Sequence, residues 1–466
     1  MGSVVVQVNH RSDVPIRSQI ADAYAAAIRD GKLKGGGKMP SIRALASRLG
    51  ISPATVVAAY RELVSRGLVT AAPRSSFCVA GKAPSEGVPR AILPLNKIEP
   101  NLRLHPVAAM GSLIGQVAEE DPLAGGYEDY RGNARLLEAI ADLDRELGIE
   151  SEPKGGMLVT SGCQQAISLT ARAFPRGARI AVEDPCYPGA RLAFAGAGAE
   201  IVPVAMGDDG PSGAALREIS KAGKVALFYC CPTYGNPSGR SWSVDARSRV
   251  LAAAKAGGFM IFEDDFLGDL DYEDEGLPRL AAMAREYPGV RVIRARTFSK
   301  TLLPTLRIAG VSGDPDFIAR LLSLKILDDV GCSAFLQRAL ARFIGDGLYE
   351  EHLARVKPHY RELRGALRSA LSGSPGGFSF GDPKAGLCLL AHIPEGIDST
   401  RLVPECAAAG VPLCAGSDYF SRPSDGAGLI RIGFGALDVN EVPRAVAALE
   451  RAVIASRGFS QIHSVV

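Results

Sequence analysis

The sequence predicts two folds in one chain. Residues 1–80 form a small α+β head of the winged helix-turn-helix kind, and residues 97–466 an α/β body with a largely parallel sheet. Three observations predict this. The first eighty residues read as helix, short helix, glycine turn, helix and basic hairpin. Residues 81–96, GKAPSEGVPRAILPLN, are Pro/Gly-rich without periodicity, which is the composition of a linker. Beyond them, short β-branched runs alternate with helical patterns, as strands of a parallel sheet alternate with their crossover helices. The body is expected to divide into a large part, about 115–325, and a smaller, more helical part, about 330–460.

In the head, Ile16, Ile20, Ala23 and Ala27 fall at helical spacing over 16–30, and the glycine-rich run 31–38 ends that helix. Ser41 N-caps a short second helix with Ile42, Leu45 and Ala46 inward. Gly50-Ile51-Ser52 is a tight turn, and Pro53 at a first helical position opens a third helix to Arg66. Strands 67–70 and 77–80 close a hairpin around residues 71–76. Such a head places the start of its third helix at base edges in the major groove and lays the wing on the DNA backbone. The charge agrees: residues 1–90 carry 13 Lys+Arg against 5 Asp+Glu, whereas the remainder carries 40 against 45. A basic head on a slightly acidic body points to an anionic partner for the head alone.

Nine scattered cysteines, without C-x-x-C or a nearby histidine spacing, speak against a zinc site or a disulfide framework and for a reducing compartment. Residues 1–17 lack the apolar run of a signal peptide. No stretch approaches the roughly twenty apolar residues of a membrane span. The expectation is a cytoplasmic protein with no membrane contact.

The body is organised around Thr297-Phe298-Ser299-Lys300, with Arg307 seven positions after the lysine. A lysine amine condenses with an aldehyde, while Thr297, Ser299 and Arg307 suit a phosphate, the needs of pyridoxal 5'-phosphate (PLP). Four other segments supply what remains. Strand 157–160 runs into Ser161-Gly162-Cys163-Gln164 and a helix over 165–173, where backbone N–H groups can approach a phosphate. Strand 179–182 precedes Tyr187, whose ring suits either a cofactor face or a half-buried structural position. Strand 225–230 delivers Asn236, a donor for the phenolic oxygen. Strand 259–262 leads to Asp264 and Asp265, where a carboxylate can pair with a protonated pyridine nitrogen or simply cap a helix. The strand 292–295 then precedes Lys300. His352, His359 and His392 show no spacing that demands a ligand role, and the end of the chain reads as βαβ-like over 386–393, 410–414 and 429–433.

Two resemblances follow from these motifs. LKGGGKMPSIRALASRLGISPATVVAAYRELVSRGLV resembles the GntR family of bacterial regulators. That implies DNA contact by Ser41 and Arg43, by Ser52, Pro53 and Thr55 at the recognition helix, and by Arg74 on the wing. SGCQQA, EDPCYP, PTYGNPSG, EDDF, TFSKTLLPTLR and IRIGFG, in this order, resemble the fold type I aminotransferases. Joined to a GntR-like head, they look like the MocR subfamily of PLP-dependent regulators. The resemblance implies Lys300 as the Schiff-base lysine, Asp264 at the pyridine nitrogen, Tyr187 on the ring and Asn236 at the phenolic oxygen. It sets Gly162, Cys163, Thr297, Ser299 and Arg307 around the phosphate, and Arg431 on an amino-acid carboxylate. Tyr127 would reach the phosphate of a neighbouring subunit, in a homodimer with shared sites. Five places depart from the pattern: Pro53 where many relatives have arginine, Arg74-Ser75-Ser76 where the wing tip is usually Gly-rich, Gly235-Asn236 where many MocR proteins have His-Gln, Phe266 where tyrosine is usual, and Gly189 where some carry a second arginine.

The expected function is a transcriptional regulator that binds a double-stranded DNA operator and senses an amine, an amino acid or PLP itself through Lys300. The alternative is a working aminotransferase with an accessory head.

Overall fold

The computed structural model describes residues 92–221 and 223–458 of the body. In the head it describes 15–29, 37–65, 69–72 and 76–79, with a few isolated positions. The chain forms two compact units, Met1–Arg90 and Ala91–Val466.

The head contains α1 (Ile16–Arg29), α2 (Ile42–Leu49), α3 (Pro53–Ser65) and a hairpin of β1 (Val69–Ala72) and β2 (Ser76–Val79). Ser41 Oγ accepts the Ala44 N–H at 3.2 Å, the expected N-cap of α2. Gly50 ends that helix at φ 62°, a left-handed conformation that glycine adopts without a Cβ penalty. Ile20, Tyr24, Leu45, Val56, Tyr60 and Leu63 are buried with Val69 and Val79, so the three helices and the wing share one core. The two strands pair antiparallel from Val69↔Val79 to Ala72↔Ser76, which carries the ladder nearer the tip than the sequence suggests. The expected wing contact, Arg74, lies outside the described residues, as does most of the expected linker. Residues 92–96 at its end belong to the body: Leu93 and Leu95 are buried, and the Leu93 N–H donates to Gly410 O at 2.9 Å.

The body's main sheet has seven strands: β3 (Met157–Thr160), β4 (Arg179–Asp184), β5 (Glu200–Ala205), β6 (Leu227–Cys230), β7 (Met260–Asp265), β8 (Val292–Thr297) and β9 (Ala309–Ser312). Their order is β3-β9-β8-β7-β6-β4-β5. Every neighbouring pair is parallel except those that β9 makes, antiparallel to both β8 and β3. Parallel strands covered on both faces read as continuous apolar runs, and β3, β6 and β7 are buried along their whole lengths. Helices α4 (Val107–Glu120), α5 (Ala134–Glu146), α6 (Cys163–Ala173), α7 (Pro188–Gly196), α8 (Gly213–Ile219), α9 (Val244–Gly257) and α10 (Leu280–Met283) belong to this large part. After them come α11 (Pro315–Asp329), α12 (Ala334–Gly345) and the long α13 (Leu348–Ser372).

The smaller part is a four-stranded antiparallel sheet of β10 (Ser379–Phe380), β11 (Cys388–His392), β12 (Cys414–Ala415) and β13 (Leu429–Gly433), backed by α14 (Ser399–Ala408) and α15 (Val442–Gly458). The βαβ unit read from sequence is split, because β13 inserts between β11 and β12 and runs antiparallel to both. Among the described residues, no helix is long and apolar enough to cross a membrane.

Candidate cofactor site

Ligands of open α/β sheets bind beyond the carboxyl ends of the parallel strands, and the ends of β4, β6, β7 and β8 converge here on one cavity of ≈330 Å³. Cys163, Tyr187, Asn236, Asp264, Thr297, Ser299, Lys300, Arg307 and Arg431, nine of the residues singled out in the sequence, all line it.

Strand alternation decides between the two aspartates. The strand β7 extends to Asp265, so consecutive side chains point to opposite faces. Asp264 faces the cavity, 4 % exposed. Its Oδ2 accepts the Tyr229 hydroxyl at 2.7 Å, and its Oδ1 is buried without a hydrogen-bond partner. Burial pushes this carboxyl up to about 6, against the opposing effect of the Tyr229 hydroxyl. Asp265 turns away into a buried charge network, accepting from Arg279 Nε at 2.8 Å and Arg294 Nη2 at 2.7 Å. Although burial alone would raise its carboxyl, the two guanidinium groups hold it well below the usual range.

The phosphate end is built from two turns. At the end of β3, Gly162 takes φ 80° as the N-cap of α6, and a Cβ there would lie 2.6 Å from Arg307 Nη2. Arg307, itself at φ 49°, donates Nη2 to Ser161 O at 2.9 Å and Nη1 to Ser299 Oγ at 3.4 Å. The Ser299 N–H donates to Thr297 Oγ1 at 3.2 Å. A guanidinium, two hydroxyls and a helix N-terminus therefore crowd one corner, the donor set that an anionic group requires.

Lys300 follows β8 in a turn anchored from behind. His352 Nε2 donates to Thr301 O at 3.1 Å, and the Tyr349 hydroxyl hydrogen-bonds Thr301 Oγ1 at 2.9 Å. Burial lowers the Lys300 ammonium below its ordinary value, and the Glu99 carboxylate opposes that shift. This favours the neutral, nucleophilic amine. His352, left without a role by its sequence spacing, is thus a packed residue under the lysine turn. Tyr187 lies half-buried at the head of α7, its hydroxyl donating to Gln164 Oε1 at 3.0 Å. Its ring occupies the space over Gly189, where a Cβ would come within 2.5 Å of it. A side chain at Gly189 would therefore have to displace the Tyr187 ring. Arg191 does not stand in for such a side chain, since it donates to Asp418 O at 2.8 Å and lies off the cavity lining.

Arg431 comes from β13, 5 % exposed. Its Nη2 donates to Asn96 O, its guanidinium sits 5.5 Å from the centre of the Tyr419 ring, and its Nε is buried unpaired. Tyr127, 89 % exposed, takes no part in this cavity. Three contributors escaped the sequence reading: Tyr229, Gln164 and the wall formed by residues 96–99. Tyr229 was in principle visible, because it lies on β6 two residues before Cys231, which lines the cavity just past the strand's end.

These groups fit PLP. The unpaired Asp264 oxygen suits a protonated ring nitrogen, the Gly162 turn lets the Arg307 guanidinium lie where any Cβ would collide with it, and the Lys300 amine lines the cavity. In the head, Ser41, Arg43, Ser52 and Pro53 are exposed and Thr55 is half-buried. Ser52 Oγ accepts the Thr55 N–H at 3.2 Å and shares a 2.8 Å hydrogen bond with the Thr55 hydroxyl, so these two residues fix the start of α3.

Comparison with known proteins agrees with both halves. Residues 103–449 match the family "Aminotransferase class I and II", and residues 16–79 match "Bacterial regulatory proteins, gntR family". The uncharacterized HTH-type transcriptional regulator YisV of Bacillus subtilis is 31% identical, over 77% of this chain and 80% of that protein. The HTH-type transcriptional regulator TauR of Rhodobacter capsulatus is 27% identical, over 94% of this chain and 96% of its own. Among solved structures, LysN, an alpha-aminoadipate aminotransferase of Thermus thermophilus complexed with N-(5'-phosphopyridoxyl)-L-leucine, superposes with a TM-score of 0.73. It is 28% identical and aligned over 79% of this chain and 94% of that one. The chain thus belongs to the class I and II aminotransferase family and carries a gntR-family head, the combination found in the MocR subfamily of regulators.

Proposed function

We propose that this protein is a PLP-dependent transcriptional regulator that binds operator DNA through its head and senses an amine or amino acid in the body's cavity. One observation carries the reading: a cofactor-competent site and a winged helix-turn-helix occur in the same chain. Bound PLP would supply an aldehyde able to condense reversibly with amines.

The chain's own groups do the rest. Arg307, Ser299, Thr297 and the start of α6 hold the phosphate, and Asp264 keeps a proton on the ring nitrogen. Tyr187 covers the ring face, and Asn236 meets the phenolic oxygen. Lys300 offers a half-buried amine of lowered basicity. Arg431 binds the effector carboxylate with its unshared donors. Lys300 follows the large sheet and Arg431 lies on the small one. A ligand engaging both sides of the cavity draws the two parts together. That differential contact is what an effector needs to shift the population of head arrangements. A homodimer completes each site with Tyr127 of the second copy.

Ser41, Arg43, Ser52, Pro53, Thr55 and Arg74 contact DNA in this reading. The test is a gel shift of the PLP-loaded chain on the DNA flanking its own gene; the reading expects a retarded complex, and no binding there would refute it. A working aminotransferase is the second reading, favoured by the complete set of Lys300, Asp264, Asn236 and Arg431 in one cavity. Multiple turnovers with common keto acids would support it; a single slow half-reaction would not.

A further inference from the structure

Two charged groups on the cavity wall have no part in that assignment, Lys97 and Glu99. We infer that Glu99 sets the charge preference of the effector site, favouring an α-amino acid whose side chain ends in a cation, an amine or a guanidinium. This inference rests on the effector-sensing reading above.

The cavity lining holds four cationic side chains, Lys97, Lys300, Arg307 and Arg431, but two carboxyls, Asp264 and Glu99. Asp264 is 4% exposed and already assigned to the ring nitrogen. Glu99 is the more exposed acid, its side chain 41% exposed and paired with Lys97 at 3.4 Å. It is the acid left to meet the side chain of a ligand whose carboxylate lies on Arg431 and whose amine lies at Lys300. Of the charges around Lys300, the Glu99 carboxylate acts most strongly on that amine, so its field reaches the reacting end of the cavity.

Glu99 is also held in place, which a selecting residue needs. The Gly433 N–H donates to Leu95 O at 2.7 Å. A Cβ on Gly433 would meet Lys97 O at 2.1 Å, and one on Gly435 would meet Glu99 O at 2.6 Å. The backbone of residues 95–99 therefore lies directly on the end of β13, two residues from Arg431. Two residues beyond Glu99, the Asn101 N–H donates to the Tyr360 hydroxyl at 3.1 Å. The backbone that carries Glu99 is thus seated on the strand that carries Arg431, and both side chains line the cavity. A cationic side chain replaces Lys97 as the partner of Glu99, whereas an acidic one meets a like charge.

The test is calorimetric and spectrophotometric titration of the PLP-loaded full-length chain with L-lysine, with L-norleucine, which lacks only the terminal ammonium, and with L-glutamate, at low ionic strength. The wild type should prefer lysine to norleucine. Glu99→Gln should weaken lysine about fivefold, the upper range for a partly exposed ion pair, and leave norleucine unchanged. Lys97→Gln, which frees Glu99 of its competitor, should strengthen lysine. If both amino acids bind but Glu99→Gln leaves their ratio within twofold, the inference is overturned and the sensing reading stands. A preference for glutamate that disappears in Lys97→Gln also overturns it. If no amino acid changes either signal, the sensing reading fails and takes this inference with it.

Discussion

Asp264→Asn should separate cofactor binding from the stability of the ligand-free fold. Burial carries this carboxyl from an ordinary 3.8 up to about 6. The ligand-free fold therefore holds the proton more tightly than the unfolded chain does. The stabilisation from that proton is complete below about pH 4 and is lost as pH rises through about 6. The interval corresponds to roughly 3 kcal/mol. Asparagine cannot ionise and keeps an oxygen for the Tyr229 hydroxyl, so the ligand-free variant should melt a few degrees higher than wild type at pH 7.5 and no higher at pH 4. With cofactor the order reverses. The variant lacks the anion that accepts the ring-nitrogen proton, a charge-assisted hydrogen bond of about 1.5–3 kcal/mol, so PLP should bind about 10- to 150-fold more weakly. Differential scanning fluorimetry at both pH values, with and without PLP, reads both effects. A variant that binds PLP within twofold of wild type, or whose ligand-free melting follows pH as wild type does, would refute the role given to Asp264.

Gly162→Ala should reduce PLP affinity about tenfold in a fluorescence titration, because its Cβ would displace Arg307 from a turn that already requires φ 80°. Unchanged affinity would remove the turn from the phosphate site. Ser41→Ala should lower the stability of the head by about 1 kcal/mol through loss of the α2 cap, seen as an earlier head transition in chemical denaturation. Arg43→Ala should weaken DNA binding similarly across sequences and reduce the slope of log affinity against log salt by about one. A change confined to one operator sequence would instead make Arg43 a base reader.

The order of motifs along the chain was enough to find the cavity, because each strand of a parallel sheet delivers its next few residues to the same edge. Lys300, Asp264, Asn236 and Tyr187 come together for that reason, whereas Arg307 reaches the same edge because it lies just ahead of β9, which runs antiparallel to β8. Asp264 and Asp265 remained equivalent in sequence until β7 proved to include both, after which alternation assigned one to the cavity and the other to Arg279 and Arg294. The wall of residues 96–99 was hidden by distance: β13 seats it from more than 330 positions away, with Arg431 bonded to Asn96 O. Read along the chain, Gly433 and Gly435 in IRIGFG show no purpose. In the fold they are small because another backbone lies on them. Tyr127 and the DNA contacts depend on partners that one chain does not contain, so its own packing cannot position them.

The central claim is that the chemistry at Lys300 controls the head. Its most direct test is fluorescence anisotropy of labelled upstream DNA titrated with the PLP-loaded full-length chain, with and without a bound amino acid, in wild type and in Lys300→Ala. The account predicts that the amino acid changes the wild-type DNA affinity several-fold and leaves the Lys300→Ala protein unaffected. An equal change in both proteins would contradict it.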